Sequence, residues 1–119
     1  MPLTANGSKF FTESVSLTTT ADTVVYTVPN NFSSHVQHLF ISNNDTSNRN
    51  YTIKWYHADD AATHTILSNH ALAGGTFDSV FTADKQLFLH QGDILYVKAA
   101  TANTLTVTVS VEEFYATNR

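Results

Sequence analysis

Six histidines and ten carboxylates are the side chains of this 119-residue sequence best suited to chemistry, because imidazole binds metals and titrates near neutrality. Their spacing limits what they can do. His35 and His38 are three apart, so on one strand they project to opposite faces and cannot share an ion without a bulge. His57 and His64 flank a short loop carrying Asp59 and Asp60; closing it as a hairpin would bring two imidazoles and a carboxylate toward one point. Polar residues beside a hairpin loop are usually only solvated, so the expectation is no metal site and no cofactor. Asp59 and Asp60 lack the second carboxylate that acid–base catalysis needs across a cleft. No serine stands in a G-x-S-x-G elbow, and the four glycines form neither G-x-G-x-x-G nor a phosphate loop ending in lysine. Cysteine is absent, which removes disulfides, thiolate zinc sites and thiol nucleophiles together. No catalytic or cofactor-binding residue is expected, and the chain reads as a non-enzyme.

The remaining chemical candidate is an aromatic platform for sugars. Trp55, Tyr56, Tyr51 and Tyr96 could stack on apolar sugar faces while nearby Asn and Asp bind hydroxyls. Alternation turns Tyr51 and Trp55 to one side, as core, and leaves only Tyr56 clearly on the other. With the polar loop over 43–50, Tyr56 supports an alternative reading as a glycan- or receptor-binding module.

The elements that would position these residues are strands. Leu105, Val107, Val109 and Val111 interleave with Thr104, Thr106, Thr108 and Ser110, a period of two with one face in the core and one in water. Tyr51, Ile53 and Trp55, and Val24, Tyr26 and Val28, repeat the pattern. Turn residues divide the rest at Pro29-Asn30-Asn31, Asn43 to Asn50, Gly74-Gly75 and Gln91-Gly92-Asp93. Strands are expected at 10–17, 23–28, 34–42, 50–57, 64–68, 75–81, 86–90, 94–99 and 104–114. The expected fold is all-β: an antiparallel, jelly-roll-like β-sandwich of about eight to nine strands. Val36, Leu39, Phe40 and Ile41 break strict alternation, which suggests a mid-sheet strand covered on both faces. Residues 1–9 are expected to be a flexible N-terminal arm and 10–119 a single sandwich domain.

Composition agrees. Only 13% of residues are charged, against about 25% in an average soluble protein. Thr, Ser and Asn number 18, 10 and 10, which suits wet strand faces and turns and excludes a helical bundle. A net charge of −4 with six scattered basic residues gives no phosphate-tracking stripe, so no nucleic-acid partner is expected. Met1 to Lys9 lacks the apolar core of a signal peptide, and no apolar run approaches the ~18 residues of a membrane span. No membrane partner is expected, and synthesis in the cytoplasm is the expectation.

Thr23-Val24-Val25-Tyr26-Thr27-Val28-Pro29, His38-Leu39-Phe40-Ile41-Ser42-Asn43 and Leu89-His90-Gln91-Gly92-Asp93-Ile94-Leu95-Tyr96-Val97 together resemble small virion structural proteins of tailed bacteriophages. In that loose family a Tyr-Thr-Val-Pro strand end precedes an Ile-Ser-Asn strand end and a Leu-x-x-Gly-Asp turn into the last hairpin. The resemblance spans roughly residues 13–113. It implies a β-sandwich located on the virion, as a capsid decoration (cement) protein or a neck or tail accessory, with the major capsid protein or tail and neck proteins as partners. This chain departs from the pattern at Asn30-Asn31, where a glycine-containing turn would follow the proline.

Aromatic pairs stand near both chain ends: Phe10 and Phe11, Phe114 and Tyr115. Alternation lets one member of each pair face the core, so the other is a candidate oligomer or partner contact. First and last strands of a sandwich are often neighbours, and these residues are expected to gather at one edge of a closed homo-oligomer, with a trimer favoured by the resemblance. The bland alternative is that the arm over 1–9 covers them. The register argument also yields a direct test: Val107→Asp buries an unpaired charge and should abolish cooperative unfolding in a thermal melt, whereas a soluble variant with an unchanged melting temperature would remove the strand assignment.

Overall fold

A computed structural model describes residues 8–115. Nine strands form: β1 (Ser8–Ser16), β2 (Thr23–Thr27), β3 (Phe32–Asn43), β4 (Arg49–His57), β5 (Ala62–Leu72), β6 (Phe77–Phe81), β7 (Leu87–Leu89), β8 (Ile94–Ala99) and β9 (Leu105–Tyr115). All pairings are antiparallel. One sheet has the order β1-β9-β3-β6, with β7 also on β3, and the second has the order β2-β8-β4-β5. β1, β2, β3 and β4 alternate between the two sheets, and the chain returns the same way, which is the double-wound wrapping of a jelly roll. Among the described residues no helix is long and apolar enough to cross a membrane.

The core lies between the sheets, and the alternating runs fill it. Leu105, Val107, Val109 and Val111 from β9 meet Tyr51 and Ile53 from β4 and Leu95 and Val97 from β8, all almost completely buried. β9 sits between β1 and β3 and holds an unbroken register with β1 from Ser8↔Phe114 to Ser16↔Thr106. β3 is mid-sheet as its pattern suggested, but its outer face is not covered. Its alternation breaks because the pairing with β9 shifts between Val36 and His38, so Gln37 is the extra residue of a bulge. The buried set then resumes in phase at Leu39 and Ile41.

Strand boundaries shift most where side chains carry no phase. β5 runs over eleven residues rather than the expected five, as an edge strand exposed along most of its length. Two register shifts against β4, with Asn69 at φ 47, scramble its periodicity. At the other end β1 begins at Ser8, so Ser8 and Lys9 belong to the sheet; the rest of the arm expected over 1–9 lies outside the described residues.

Two tyrosines fasten the layers together. The Tyr26 hydroxyl on β2 crosses to Ser34 on β3 and donates to Glu113 on β9. Tyr51 on β4 donates to Asp78 on β6 at 2.7 Å. Burial first, and then the carboxylate each one meets, pushes both phenols far above their ordinary range. They therefore act as fixed donors, Tyr26 to the buried Glu113, which needs such a partner to remain inside the protein, and Tyr51 to the half-buried Asp78.

Turn chemistry follows the backbone. Asn31 takes φ 67, so it supplies the left-handed conformation that a glycine would provide after Pro29. Gly74 is required for a different reason, because a Cβ there would lie 2.4 Å from the Thr46 carbonyl oxygen. Gly92 has φ 83, and a Cβ there would also press on Ala58 at 3.2 Å. Gly92→Val should therefore cost about 1–3 kcal/mol in a denaturant melt; a loss equal to that of a neutral surface substitution would contradict this turn.

Candidate interaction surface

Residues of even number in β1 and β9 point away from the core, and the register lines them up with β3 and β7 across the outer face of the first sheet. One row runs Phe10, Glu112, His35 and Phe88, and beside it stands Ser8, Phe114 and Ser33. Next come Thr12, Ser110 and His38, then Ser14, Thr108, Phe40 and Ser79, and last Ser16, Thr106, Ser42 and Phe77. Hydroxyl pairs knit the middle rows, Thr12 to Ser110 at 2.8 Å and Ser14 to Thr108 at 3.0 Å. Aromatics occupy the ends: Phe10 is 63% exposed, Phe88 66%, Phe77 62% and Phe114 38%.

Ring contacts fix two of these four, Phe88 and Phe77. Phe88 stacks on His35 with centroids 4.5 Å apart and planes at 14°. Phe40 stacks on His38 and meets Phe77 edge-on. His35 lies 3.7 Å from Glu112, which also accepts from Ser8 at 2.9 Å. Glu112 is the single carboxylate in these rows and is tied down by its neighbours. The face is thus hydroxyl-rich in the centre, aromatic at its ends and nearly free of charge, which favours contact with another surface over solvation.

The four residues singled out at the chain ends divide as alternation requires, with one difference. Phe10 and Phe114 lie on this outer face. Phe11 turns inward onto the core, 6.0 Å from the Tyr26 ring. Tyr115 lies on the inner side, edge-on to Phe32 at 5.8 Å, yet it remains half exposed because the strand outruns the opposite sheet there. Sequence reasoning missed Phe88 and Phe77. Phe88 was legible, since Leu87 and Leu89 both turn toward the core. Phe77 was not, because a register shift in the β3–β6 pairing puts it out of phase with Phe81.

The histidine–aspartate loop closes as a hairpin, but its groups pair separately. His64 Nε2 meets Asp60 at 2.9 Å, while His57 lies between Asp59 at 3.7 Å and Asp93 at 3.5 Å. Trp55 stands against both imidazoles, with centroids 4.7 and 5.3 Å away. Among the described residues no group of three His, Cys, Asp or Glu is disposed to hold a metal ion. Two of the sugar-platform residues are committed elsewhere, since Tyr51 is buried and the Trp55 indole donates to Asp93 at 3.3 Å, while Tyr56 and Tyr96 are half-buried on β4 and β8. The loop over 43–50 spends its polar groups internally. Asn43 bonds Ser47, Asp45 and Leu72, and Arg49 grips Asp45, holding that carboxyl below its ordinary range.

No known family matches the chain, and no curated protein matches it. Similarity is found only among solved structures. A subunit of the Bacillus endospore appendages, a family of disulfide-linked pili, is 10% identical over 98% of this chain and 96% of its own, with a TM-score of 0.51. A virus-like particle of the giant freshwater prawn Macrobrachium rosenbergii extra small virus is 11% identical over 95% of this chain and 82% of its own, with a TM-score of 0.39. The first likeness is one of fold: two facing antiparallel sheets over nearly the whole length of both chains.

Asp93 is the most enclosed carboxylate of the fold, and it explains the Gly-Asp turn. It accepts from the backbone of Ala58 at 2.9 Å and of His90 at 3.1 Å, so one side chain ties the β7–β8 turn to the β4–β5 hairpin. Burial alone would raise its pKa, but these donors with Trp55 and His57 outweigh burial and hold it below the usual range. A carboxyl depressed in the folded state stabilises fully above its unfolded pKa, and that contribution fades as pH falls through the folded value. Asp93→Asn should cost about 1–3 kcal/mol near neutral pH and flatten the acid limb of the stability–pH curve, leaving the part due to Asp45 and Asp60, both also depressed. Denaturant melts of both proteins between about pH 6 and pH 2 check this; parallel curves would contradict it.

Proposed function

We propose that this chain is a non-enzymatic structural protein that assembles on a virion, with the outer face of the β1-β9-β3-β6 sheet docked on its neighbour. The observation carrying this reading is the set of exposed aromatics Phe10, Phe88, Phe77 and Phe114 on a nearly uncharged sheet face. A lone monomer gains nothing from holding four such rings in water, whereas an interface uses them as anchors around a hydroxyl-rich middle. A jelly roll suits the role because its stiff layers keep a broad flat face in shape.

The resemblance at the three strand ends refines this to a capsid decoration (cement) protein or a neck or tail accessory of a tailed phage, in contact with the major capsid protein or with tail and neck proteins. Self-association through the region of Phe10, Phe11, Phe114 and Tyr115 belongs to the same reading, and a trimer is carried by the resemblance alone. Disulfide linkage, described for the Bacillus appendages, has no means in a chain without cysteine. Attachment here must come from surface burial.

Purified particles should contain the protein in fixed stoichiometry. The double variant Phe10→Ser, Phe88→Ser should lower its incorporation at least about tenfold, since two interface anchors carry a large share of such a contact, while the free protein keeps its melting temperature within a few degrees. Absence from particles, or undiminished incorporation of the double variant, would refute the docking face.

A further inference from the structure

The free edge of β1 differs from every other edge in the fold. Among the described residues β1 pairs with β9 alone, over nine residues without a single register shift. On the second sheet, the edge strands β2 and β5 are both interrupted by bulges, which blunt an edge. On the far side of the first sheet, β3 is bordered by two short strands in place of one long one. β1 alone presents a long, regular row of open backbone groups.

Which groups are open follows from the last turn. Leu17 donates to Leu105 and accepts from Asn103, so its backbone points toward β9. Alternation then directs the backbone N–H and C=O of Phe10, Thr12 and Ser14 outward. Beside this edge runs a groove of about 440 Å³, with Lys9, Phe11, Glu13 and Val15 on one wall and Val24 and Tyr26 on the other. Val24 is 48% exposed there.

We propose that β1 pairs antiparallel with β1 of a second copy, in the register centred on Phe11. Only registers that pair outward-pointing residues with each other can form, and side-chain chemistry then selects among them. Centring on Phe11 sets Phe11 against the partner's Phe11, Lys9 against the partner's Glu13 and Glu13 against the partner's Lys9, all on the groove side. The two outward residues Phe10 and Thr12 become the hydrogen-bonded pair. Centring on Thr12 instead sets Phe11 against a carboxylate and Lys9 against Val15; centring on Glu13 opposes two like charges. Opposite charges and aromatic pairs stabilise directly facing positions, and like charges destabilise them. Neither Lys9 nor Glu13 is in an ion pair among the described residues, where the lysine and arginine pairs are Arg49–Asp45 and Lys54–Asp22; the Lys9 ammonium lies 5.0 Å over its own Phe11 ring, on the groove side. The charge pattern of β1 is therefore complementary to its own reverse, which identifies a second copy as the occupant. The partner's Phe11 enters the groove, and the two Val24 side chains are brought toward each other on the same side.

This pairing gives the self-association of the Phe11 region a specific geometry, and it is measured on the free protein, apart from any particle. Light scattering and sedimentation on the full chain at about 100 µM, above a micromolar dissociation constant, should show a dimer. Lys9→Glu and Glu13→Lys should each weaken it at least about tenfold, because each opposes like charges twice across the two-fold axis. Mixing those two variants in equal amounts should restore a dimer containing one copy of each. Thr12→Pro should leave a folded monomer, since the amide it removes faces away from β9. A wild-type monomer at that concentration, a dimer indifferent to Lys9→Glu, or a mixture that fails to pair would each overturn the proposal. So would a dimer lost on Phe88→Ser but retained in Lys9→Glu, which would place the contact on the outer face.

Discussion

Strand β9 imposes one phase on the whole first sheet. Its odd-numbered residues from Leu105 to Glu113 are buried, and their backbones bond β1, while the even-numbered residues face out and bond β3. A slip of one residue would bring Thr106, Thr108 and Ser110 into the core and put four aliphatic side chains in water. The neighbours have no separate means of choosing a register. β1 is amphipathic only weakly and takes its faces from β9, and β3 absorbs its own extra residue in a bulge so that it can follow the same phase.

With that phase set, the polar atoms inside the sandwich become fasteners rather than flaws. Glu113 comes at the end of the buried series of β9, where an apolar residue would be the simple choice, and the Tyr26 hydroxyl reaches it from the opposite sheet. Tyr51 and Asp78 do the same nearer the other edge. Apolar contacts alone would let two twisted sheets slide over each other. Directional bonds between specific atoms fix their relative position, and for the buried Tyr26–Glu113 pair the cost of separation in a dry interior makes the arrangement close to all-or-none. Asp93 plays the same part among loops, joining two turns far apart in sequence.

The fold was legible wherever side chains keep a strict period of two. β2, β4, β8 and β9 fall within about one residue of their expected limits, because burial on one face leaves a clean alternation. β5 was legible only in part: a solvated edge strand has no face to bury, and two bulges erase its remaining phase. Of the candidate surface, Phe114 could be assigned to the outside from the strict phase of β9, whereas the weak phase of β1 required only that one of Phe10 and Phe11 face out. The joining of Phe10 and Phe114 to Phe88 and Phe77 could not be foreseen, since it depends on which strands are neighbours and on a shift opposite Leu39. The Gly92-Asp93 turn was visible as a turn, but its buried role was not, because the partners of Asp93 come from Trp55 and Ala58 on another hairpin.

The first sheet has two unlike margins. Along β1 the backbone is continuous, whereas on the other side β3 is met by the three residues of β7 and then by the five of β6, with a loop between. A ribbon that grows without limit needs two addition-competent sides on each unit, one to receive and one to offer. The first sheet, as its described residues form it, has one, along β1. It can be lengthened a single time, and the added copy then presents its own broken margin outward, so growth terminates. The split of one strand into two short pieces thereby acts as a stop on polymerisation through backbone geometry, beside the charges of Asp84 and Lys85 in the loop between them.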